Sequence, residues 1–400
     1  MACEQVTLQD VCELIVDCPH TSAKDEGVGY PLIRTPNVGR GRLILTDVHR
    51  VSQDVYERRV SRAVPRQGDL ILAREAPAGN VAIVSPGIEV CLGQRTMLLR
   101  PDSSFVVPEY LNYYLNAPEQ RDRMLRLANG ATVSHINVAD IRNMPVQLPS
   151  RGEQSKVAEL LNVLDDKIDL NNRLNDYLEQ LCQSLFNRFD NDENNPFVKV
   201  SDIADVNPRR TLKKGEEALC IEMADLSTTG AFPTDWRTKA YNGGVKFVNG
   251  DTTLARITPC LENGKAGYIN FLEQDEVAFG STEYIVLTSK GELPSEFFYF
   301  LARNEDFISY ATAHMNGSSG RQRVSGSDVG NYEVRMPSEK QISEFRKIAG
   351  NAMRVISASS IESRKLAQLR DALLPKLMSG EIDASKVELT QLTNNHLADC

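Results

Sequence analysis

The chain has 400 residues, 41% of them hydrophobic and 25% charged, and its formal net charge is −9 at pH 7. This length and composition suit two to four folded domains, and the acid excess argues against indiscriminate binding of nucleic acid, because such binding depends on summed attraction to phosphates. No apolar run approaches the roughly 20 residues of a membrane-spanning helix, and Met1–Thr7 does not resemble a signal peptide, so we expect a soluble cytoplasmic protein.

Residues 1–149 predict a first compact module of mixed α and β structure. Short β-rich segments bounded by glycine and proline are followed by one helix that a proline opens. Fifteen of the sixteen lysines and arginines before residue 150 are arginine, the forked donor that suits phosphates and guanine edges, although arginine also serves ordinary surface ion pairs. The predicted strands are Leu70–Ala73, Val81–Val84 and Thr96–Leu99, and the predicted helix is Pro108–Leu127.

Residues 150–195 predict a long spacer helix. Apolar residues advance by three or four from about residue 152 to 189, which corresponds to roughly 57 Å of helix at about 1.5 Å per residue. The stripe is narrow, as is typical of a coiled-coil seam, and its spacing slips near Asn171. The predicted seam consists of Val157, Leu161, Leu164, Ile168, Leu178, Leu181 and Leu185.

The chain then repeats itself. Gly68–Asp69 and Leu72–Arg74 recur as Gly250–Asp251 and Leu254–Arg256, and further segments recur in the same order at offsets between 182 and 192. The sequence therefore predicts two copies of one unit. The loop after the repeated Ala-Arg is longer in the second copy, which favours two binding sites of different specificity. Within the second module, residues 196–337, the predicted elements are strands at Leu254–Arg256, Gly267–Phe271 and Tyr284–Thr288 and a helix at Pro294–His314.

A second long spacer helix is predicted at residues 338–380, ending near Leu374-Pro375, with a tail at 381–400. Single helices with such narrow stripes would expose much of them, so we expect an α+β fold in which two pseudo-repeated mixed α/β modules are separated by two long helices forming an antiparallel coiled coil. The alternative is that each helix folds onto its own module. The predicted seam of the second helix consists of Phe345, Ala352, Ile356, Leu366, Leu369 and Leu373.

Candidate binding residues come from the paired loops that follow the repeated Ala-Arg and Asn-Gly. The best of these loops is Gly317–Arg323, a polar segment in which two arginines flank a glutamine that could read adenine. The alternative is that these side chains are solvated or form internal ion pairs, and that the repeated Ala-Arg simply closes a strand. The candidates are Arg74, Asn80, Arg95, Thr132, Ser134 and His135 in the first module and Arg256, Asn263, Lys265, Ser318, Ser319, Arg321, Gln322 and Arg323 in the second.

The sequence lacks the enzyme motifs that it comes close to matching. Asn195-Pro196-Phe197 lacks the second proline of the amino-methyltransferase loop, and Gly264-Lys265 is followed by alanine, which excludes a P-loop. Asp165-Asp166-Lys167 is better explained as a solvated helix face than as a nuclease site. The five histidines and eight cysteines show no metal-binding spacing and no C-x-x-C pair, so we expect free thiols, no metal site and a binding protein rather than an enzyme.

The helix boundaries resemble those of a known family, the specificity subunits of type I restriction-modification systems. The resemblance lies in Leu148–Gln154 leading into Leu160–Ile168, in Leu366–Leu377 with Ser379-Gly380-Glu381, and in the opening Asp17-Cys-Pro-His20. It covers nearly the whole chain. The second copy departs from it at Asn207-Pro-Arg-Arg210, which puts a shared role for His20 in doubt.

This resemblance implies two target-recognition domains, each reading one half of a split site on double-stranded DNA, with the helix pair setting the gap. It also implies that two modification subunits dock on the helices and bring S-adenosylmethionine, that restriction subunits bring ATP-driven translocation and cleavage, and that this chain binds neither cofactor. One alternative is a non-catalytic coiled-coil scaffold with paired protein-binding domains. Another is a specificity subunit that serves methylation only.

Overall fold

The computed structural model describes residues 4–76, 78–128, 135–318 and 320–387. These residues form two compact units. The first unit combines the described parts of Met1–Asp165 and Gln368–Cys400, and the second is Asp166–Ala367. Each of the two long helices therefore belongs partly to the first unit and partly to the second.

The first unit is a mixed α/β module whose strands form three sheets. Its elements are β1 (Glu4–Thr7), β2 (Cys12–Asp17), β3 (Tyr30–Ile33), β4 (Gly41–Arg42), β5 (Arg50–Val51), α1 (Gln53–Arg59), β6 (Leu70–Ala73), β7 (Val81–Ile83), β8 (Cys91–Leu92), β9 (Thr96–Pro101), α2 (Pro108–Asn116), α3 (Pro118–Leu127), α4 (Val138–Arg142), β10 (Pro145–Leu148) and the start of α5 (Arg151–Asp190). The sheet orders are β2-β9-β6-β7-β4, β5-β3-β8 and β1-β10. Alternate residues of the central strand β6 face two cores, Leu70 and Leu72 one and Ile71 and Ala73 the other.

The second unit has its own sheets and helices. Its elements are β11 (Phe197–Lys199), α6 (Val200–Ile203), β12 (Ala204–Val206), β13 (Glu217–Ile221), β14 (Arg237–Ala240), β15 (Val245–Phe247), β16 (Thr252–Ala255), β17 (Ala266–Tyr268), β18 (Ala278–Gly280), β19 (Tyr284–Ser289), α7 (Glu296–Ala302), α8 (Glu305–Ala313), α9 (Gly326–Asn331), β20 (Glu333–Arg335) and most of α10 (Glu339–Ser379). The sheet orders are β12-β19-β16-β17, β14-β13-β18-β15 and β11-β20.

The two modules share one topology. The order β12-β19-β16-β17 reproduces β2-β9-β6-β7, and β13 pairs with one antiparallel and one parallel neighbour, as β3 does. Helices α7 and α8 correspond to α2 and α3, and β11-β20 corresponds to β1-β10. The internal repeat predicted from the sequence is therefore confirmed, and β4, α1, α6 and β15 are the named elements without a counterpart in the described part of the other module.

The helix predicted in each module is divided into two. In the first module Pro118 opens α3 after a break at Ala117, because proline has no backbone N–H to continue the ladder of α2. In the second, the Asn304 side chain accepts a hydrogen bond from the backbone N–H of Phe307 at 3.0 Å and caps a new helix. The predictions of single helices at Pro108–Leu127 and Pro294–His314 were wrong on this point.

The long helix α10 continues past its predicted end near Pro375. The helix runs through this proline to Ser379, and Leu374 and Leu377 on its last turns are buried in the core of the first unit. Gly380 then adopts a φ of +75° and its N–H donates to the carbonyl of Leu377. Burial of the last turn thus outweighs the one hydrogen bond that proline removes, and a glycine ends the helix.

Helices α5 and α10 pack against each other in an antiparallel pair, as the sequence predicts. Within the second unit Lys167 forms an ion pair with Glu362 at 3.2 Å, and Arg188 forms one with Glu344 at 3.0 Å. Residue numbers therefore rise along α5 while they fall along α10. Within the first unit Asp165 of α5 accepts a hydrogen bond from Arg370 of α10 at 2.6 Å, which agrees with the same antiparallel direction.

The buried seam of α5 departs from the predicted one in its middle. Leu181 is 51% exposed, so the prediction that it lies in the seam was wrong, whereas Asn171 and Asn175 are 3% and 8% exposed. The buried positions follow a regular heptad from Leu164 onward, and the two asparagines occupy that heptad. The predicted seam residues that are buried or half-buried are Val157, Leu161, Leu164, Ile168, Leu178, Leu185, Phe345, Ala352, Ile356, Leu366, Leu369 and Leu373.

The asparagines are stable in the seam because α10 satisfies their amides. The Nδ2 atom of Asn171 donates to Glu362 Oε2 at 2.7 Å, and the Oδ1 atom of Asn175 accepts from the hydroxyl of Ser359 at 2.6 Å. Small residues of α10 leave room for these groups. A buried polar group that is hydrogen-bonded avoids the desolvation cost that would otherwise exclude it.

Candidate nucleic-acid interface

One border of the five-stranded sheet gathers polar residues of the first module. Strands β2 and β6 end there while β9, β7 and β4 begin there, because β6 is antiparallel to β7 and β9, and β4 is parallel to β7. The residues at or just outside these strand ends lie along this border, which we call the first edge. The first edge comprises Asp17, Arg40, Arg74, Asn80 and Arg95.

Arg74 uses its guanidinium inside the protein. Its Nη1 donates to both carboxylate oxygens of Asp17, at 2.7 and 2.8 Å, and its Nε donates to the carbonyl of Ile136 at 2.9 Å. The side chain is only 12% exposed. These contacts argue against the predicted DNA contact of Arg74 and favour the alternative that the repeated Ala-Arg closes the strand.

Arg95 is presented outward at the turn before β9. Its backbone has a φ of +66°, in the left-handed region that residues other than glycine rarely adopt, and its side chain is 53% exposed. The Nε atom donates to Glu75 at 2.9 Å. The backbone of His135 forms a β-bridge with Glu75, and the exposed side chain of Gln94 donates to the carbonyl of His20. These residues surround Arg95 on the first edge.

Asn80 lies next to two arginines. Its Oδ1 accepts from Arg121 Nη2 at 3.0 Å, and its Nδ2 donates to the carbonyl of Val38 at 3.0 Å. Arg40, which immediately precedes β4, is exposed. The first edge therefore has a second cationic group beside Asn80, separate from Arg95.

The second module has an equivalent border built by the same backbone hydrogen bonds. Three backbone N–H groups of the first module donate to backbone carbonyls: Ala73 to Asn80, Arg74 to Arg95, and Ile136 to Arg74. The second module has the same three bonds: Ala255 to Lys265, Arg256 to Glu283, and Val324 to Arg256. We call this border the second edge, comprising Arg256, Lys265, Glu283 and Arg323. The equivalent pairs are Arg74 and Arg256, Asn80 and Lys265, Arg95 and Glu283, and His135 and Arg323.

Charge is arranged differently on the second edge. Glu283 stands where the first edge has Arg95, and Arg323 binds both of its oxygens, with Nε at 2.9 Å and Nη2 at 2.7 Å. These hydrogen bonds, together with the charge of Arg323, hold the pKa of Glu283 below its ordinary value. Arg256 is half-buried, and its Nε lies buried without an acceptor among the described residues.

The two candidate loops of the second module lie against each other. The backbone N–H of Thr258 donates to the carbonyl of Gln322 at 3.1 Å, and Ile257 forms a β-bridge with Arg323. Lys265 is tied down, because its Nζ donates to the carbonyl of Met223 at 2.8 Å. Exposed candidates in these loops are Asn263, Ser318 and Arg321.

The structure thus brings six of the fourteen candidates that the sequence singled out onto the two edges, Arg74, Asn80 and Arg95 on the first and Arg256, Lys265 and Arg323 on the second. Thr132, Ser134 and Ser319 lie outside the described residues. Sequence reasoning missed Arg40 and Glu283, which lie on the edges, and Arg121, which donates a hydrogen bond to Asn80 of the first edge. Arg40 and Arg121 are 81 positions apart, so only the parallel pairing of β4 with β7 and the packing of α3 could have joined them. Recognising from the sequence that Glu283 occupies the position of Arg95 would have required knowledge of the strand register.

A separate exposed apolar stripe lies on α5 within the second unit. Leu170, Leu174, Tyr177 and Leu181 follow one another by four, three and four residues, so they share one face of the helix. Each is between 42% and 69% exposed. A contiguous apolar face on the surface of a folded protein marks an interaction site. We call this face the exposed stripe.

The described residues offer little to hold a metal or to cross a membrane. None of the His, Cys, Asp and Glu side chains in the described ranges form a group of three or more that could hold a metal ion. No helix in those ranges is long and apolar enough to span a bilayer. The six described cysteines are free thiols, and burial raises the pKa of Cys91 to about 11 and that of Cys182 to about 12.

Comparisons with known proteins agree with this architecture. Residues 2–180 match the family model described as type I restriction modification DNA specificity domain. The specificity subunit of type I restriction enzyme HindI from Haemophilus influenzae is 21% identical over 399 residues, covering 79% of this chain and 87% of that protein. The MjaIX specificity subunit from Methanocaldococcus jannaschii is 22% identical over 375 residues, covering 84% and 83%.

A solved structure shows the same fold along nearly the whole chain. The S subunit of a type I restriction-modification system from M. genitalium superposes with a TM-score of 0.58 at 16% identity, covering 94% of this chain and 96% of that one. The matched domain, the two relatives and the shared fold point the same way as the motifs at the helix ends. Residues 2–180 thus match the type I restriction modification DNA specificity domain, and the chain is similar over most of its length to specificity subunits of type I restriction enzymes.

Proposed function

We propose that this chain is the sequence-reading subunit of a type I restriction-modification complex, in which each module reads one half of a split, asymmetric site on double-stranded DNA. We assign the target-recognition domains to residues 1–149 and 196–337. The observation that carries the proposal is the pair of edges, which share one topology but present different side chains at equivalent positions. Two sites on one scaffold with different donors and acceptors suit two different half-sites.

The residues assigned to DNA are exposed or half-buried side chains on the edges or beside them. On the first edge they are Arg95 and its neighbours Gln94 and His135, and in the second module they are Asn263 and Arg321 with the adjoining loops. Arginine forms bidentate hydrogen bonds with guanine, and asparagine and glutamine do so with adenine. Arg74, Lys265 and Arg323 act mainly as internal supports of the edges, because their side chains are bonded within the protein.

The exposed stripe supports the assembly part of the proposal. A narrow apolar face on a long helix suits an α-helix of a partner, because side chains spaced by three and four residues interlock with a second helix. We assign this face to a modification subunit. The methylation chemistry with S-adenosylmethionine and the ATP-driven steps of restriction belong, in this proposal, to the partner subunits, and this chain is not itself an enzyme.

The DNA-reading role is tested by mapping methylated adenines genome-wide in cells that contain the modification subunit with and without this chain. We expect a split motif that is methylated only when this chain is present. No change in the methylated sites would contradict the proposal and favour a scaffold with paired protein-binding domains. Methylation without cleavage would identify a subunit that serves methylation only.

The assembly role is tested with the variant L174S/L181S, which makes the exposed stripe polar without touching buried residues. We expect unchanged thermal unfolding and loss of copurification with the modification subunit. The matched control is Arg173→Ser with Gln180→Ser, since both residues are exposed on α5 outside the stripe. Copurification of the stripe variant at the level of the control would show that the modification subunit docks elsewhere.

A further inference from the structure

Arg40 of the first edge and Arg121, which donates a hydrogen bond to Asn80 of that edge, both lack a counter-charge among the described residues. Arg40 and Arg121 form no ion pair with any carboxylate in the described part of the chain, and Arg40 is exposed. The other two arginines of this edge are each paired with a carboxylate, Arg74 with Asp17 and Arg95 with Glu75. Two neighbouring cations without an acid are costly in a folded protein unless an anion joins them.

Arg121 also lacks a full set of acceptors. Its Nη2 donates to Asn80, while its Nε is buried with no acceptor among the described residues. Burial, and secondarily the charge of Arg40, lower the pKa of Arg121. Asp122 acts in the opposite direction, but it is exposed on the outer face of α3. The guanidinium is therefore held in place by Asn80 and forms no ion pair with a carboxylate among the described residues.

The backbone around these arginines is fixed by buried amides. Asn112 donates from Nδ2 to the carbonyl of Gly41 at 2.9 Å, and Asn116 donates to the carbonyl of Val81 at 2.8 Å. Both asparagines are at most 8% exposed. They connect α2 to the starts of β4 and β7, the strands that Arg40 and Asn80 immediately precede. The arginines therefore sit on a rigid support rather than on a free loop.

The second module has no such group. Lys265 occupies the position of Asn80 and is tied to a carbonyl, and Ile308 of α8 occupies the position of Arg121, counted from the residue that caps each helix. The four-stranded sheet of that module also has no strand equivalent to β4 among the described residues. The pair of arginines is thus a property of the first module and not of the shared fold.

We propose that Arg40 and Arg121, positioned by Asn80, form a binding site for one backbone phosphate of DNA held at the first edge. The proposal rests on the proposed function, since it takes DNA as the source of the phosphate. A contact to the backbone fixes the position and register of the duplex without reading its sequence. This site would therefore orient the DNA while Arg95 and its neighbours contact bases.

The test measures the salt dependence of binding between the full 400-residue chain and a random-sequence duplex, by fluorescence anisotropy. The logarithm of the binding constant falls with the logarithm of the salt concentration, and loss of one phosphate contact makes this negative slope shallower by about 0.9. We expect this decrease for R40A and for R121A, and the same decrease for the double variant, because both arginines serve one phosphate. If R121A does not fold, R40A alone tests the phosphate site, because Arg40 is exposed and its loss should not affect folding.

The matched control is Arg126→Ala, which removes an exposed arginine from the same helix without touching the site. We expect it to keep the wild-type slope. Wild-type slopes for R40A and the double variant, or an equal decrease for R126A, would overturn the phosphate site while leaving DNA binding intact. A wild-type chain that binds no duplex would overturn the proposed function and the site with it. Displacement of the duplex by millimolar inorganic phosphate from wild type and variants alike would also count against a site built by these two arginines.

Discussion

At the scale of single residues, the two modules neutralise the same buried carboxylate with different arginines. Asp69 and Asp251 occupy equivalent Gly-Asp turns and are 2% and 0% exposed. In the first module Arg100 on β9 binds both oxygens of Asp69, and in the second Arg210, from the loop after β12, binds Asp251. A buried carboxylate needs a partner cation, but the fold permits that cation to come from either strand or loop.

We predict that Arg210→Met destabilises the second unit by about 3 kcal/mol, because it leaves Asp251 buried and unpaired. Burial already raises the pKa of Asp251 against the opposing effect of its hydrogen bonds and of Arg210. The loss should therefore grow as pH rises and the carboxylate ionises. Thermal unfolding of the full chain measures the effect, with the exposed neighbour Arg209→Met as the control. Restored stability in the double variant R210M/D251N would confirm the cause, and equal melting of R210M and R209M would contradict it.

A second prediction concerns Glu179 on α5. Its Oε1 accepts from the N–H of Ala231 at 2.7 Å and its Oε2 accepts from the hydroxyl of Tyr299 at 2.8 Å, yet burial raises its pKa above the ordinary value of 4.5. An acid with a raised pKa in the folded state reduces stability as pH rises from 4.5 through that folded pKa. Glu179→Gln keeps the shape and loses the charge. We expect the variant to match the wild type at low pH and to be more stable at neutral pH.

Measurement of the free energy of unfolding of both proteins between pH 4 and 8 tests this expectation. The sign of the difference is the decisive quantity. A variant that is less stable than the wild type at neutral pH would show that the two hydrogen bonds to the carboxylate outweigh its desolvation. The exposed Glu262→Gln serves as the control for a change of net charge.

At the scale of elements, the long helices show where a hydrophobic pattern misleads. The periodic stripe of α5 passes through Asn171, Leu174 and Leu181, yet the two leucines face outward while Asn171 is buried together with Asn175. Both stripes have spacings of three and four residues, so periodicity alone could not decide which one α10 covers. The serines of α10 that satisfy the asparagines are visible in the sequence, but their pairing depends on helix register.

The burial of the asparagines and the exposure of the leucines on α5 give a third prediction. Asn171→Ala should destabilise the chain by about 1–3 kcal/mol, because it leaves buried groups of α10 without their hydrogen-bond donor. Leu174→Ala should change stability by about 0.5 kcal/mol or less, since the side chain is exposed. Chemical denaturation of the two variants compares them directly. A larger loss for L174A than for N171A would mean that the leucine stripe is the buried one.

Other elements followed from local sequence signals. The repeated Gly-Asp and Ala-Arg located β6 and β16, because glycine turns and short apolar runs are local features. The breaks at Ala117 and before Asn304 were missed, although Pro118 and the Asn304 cap are local signals that could have been used. The edges could be predicted only as separate loops. Their assembly depends on strand pairing between residues far apart in the chain, such as Arg74 with Arg95 and Ile136.

At the scale of the whole molecule, duplication of one topology gives the chain two edges with different charges at equivalent positions. Arg95 on the first edge corresponds to Glu283 on the second, and His135 corresponds to Arg323. The supports beneath them are shared, since the same backbone hydrogen bonds build both edges. Side chains at the border can therefore change while the strands remain, as the proposed reading of two unlike half-sites requires.

The last prediction separates the two modules by function. We expect Arg95→Ala to relax base preference in one half of the methylated site and Arg321→Ala to relax it in the other, by about 1–3 kcal/mol of discrimination for each lost base contact. Both side chains are exposed, so neither change should affect folding. Genome-wide mapping of methylated adenines in cells with each variant and the modification subunit gives the base frequencies at every position of the motif.

The effect of each variant on the methylated motif distinguishes base contacts from phosphate contacts. Exposed Lys347 on α10 provides a control, because Lys347→Ala removes the same charge outside both edges and should leave the motif unchanged. If Arg95 and Arg321 contacted only phosphates, methylation would fall evenly at all sites and base preference would stay as it is. If both variants relaxed the same half, the two edges would not be independent readers, because each half-site must respond to one module alone for the duplication to produce an asymmetric site.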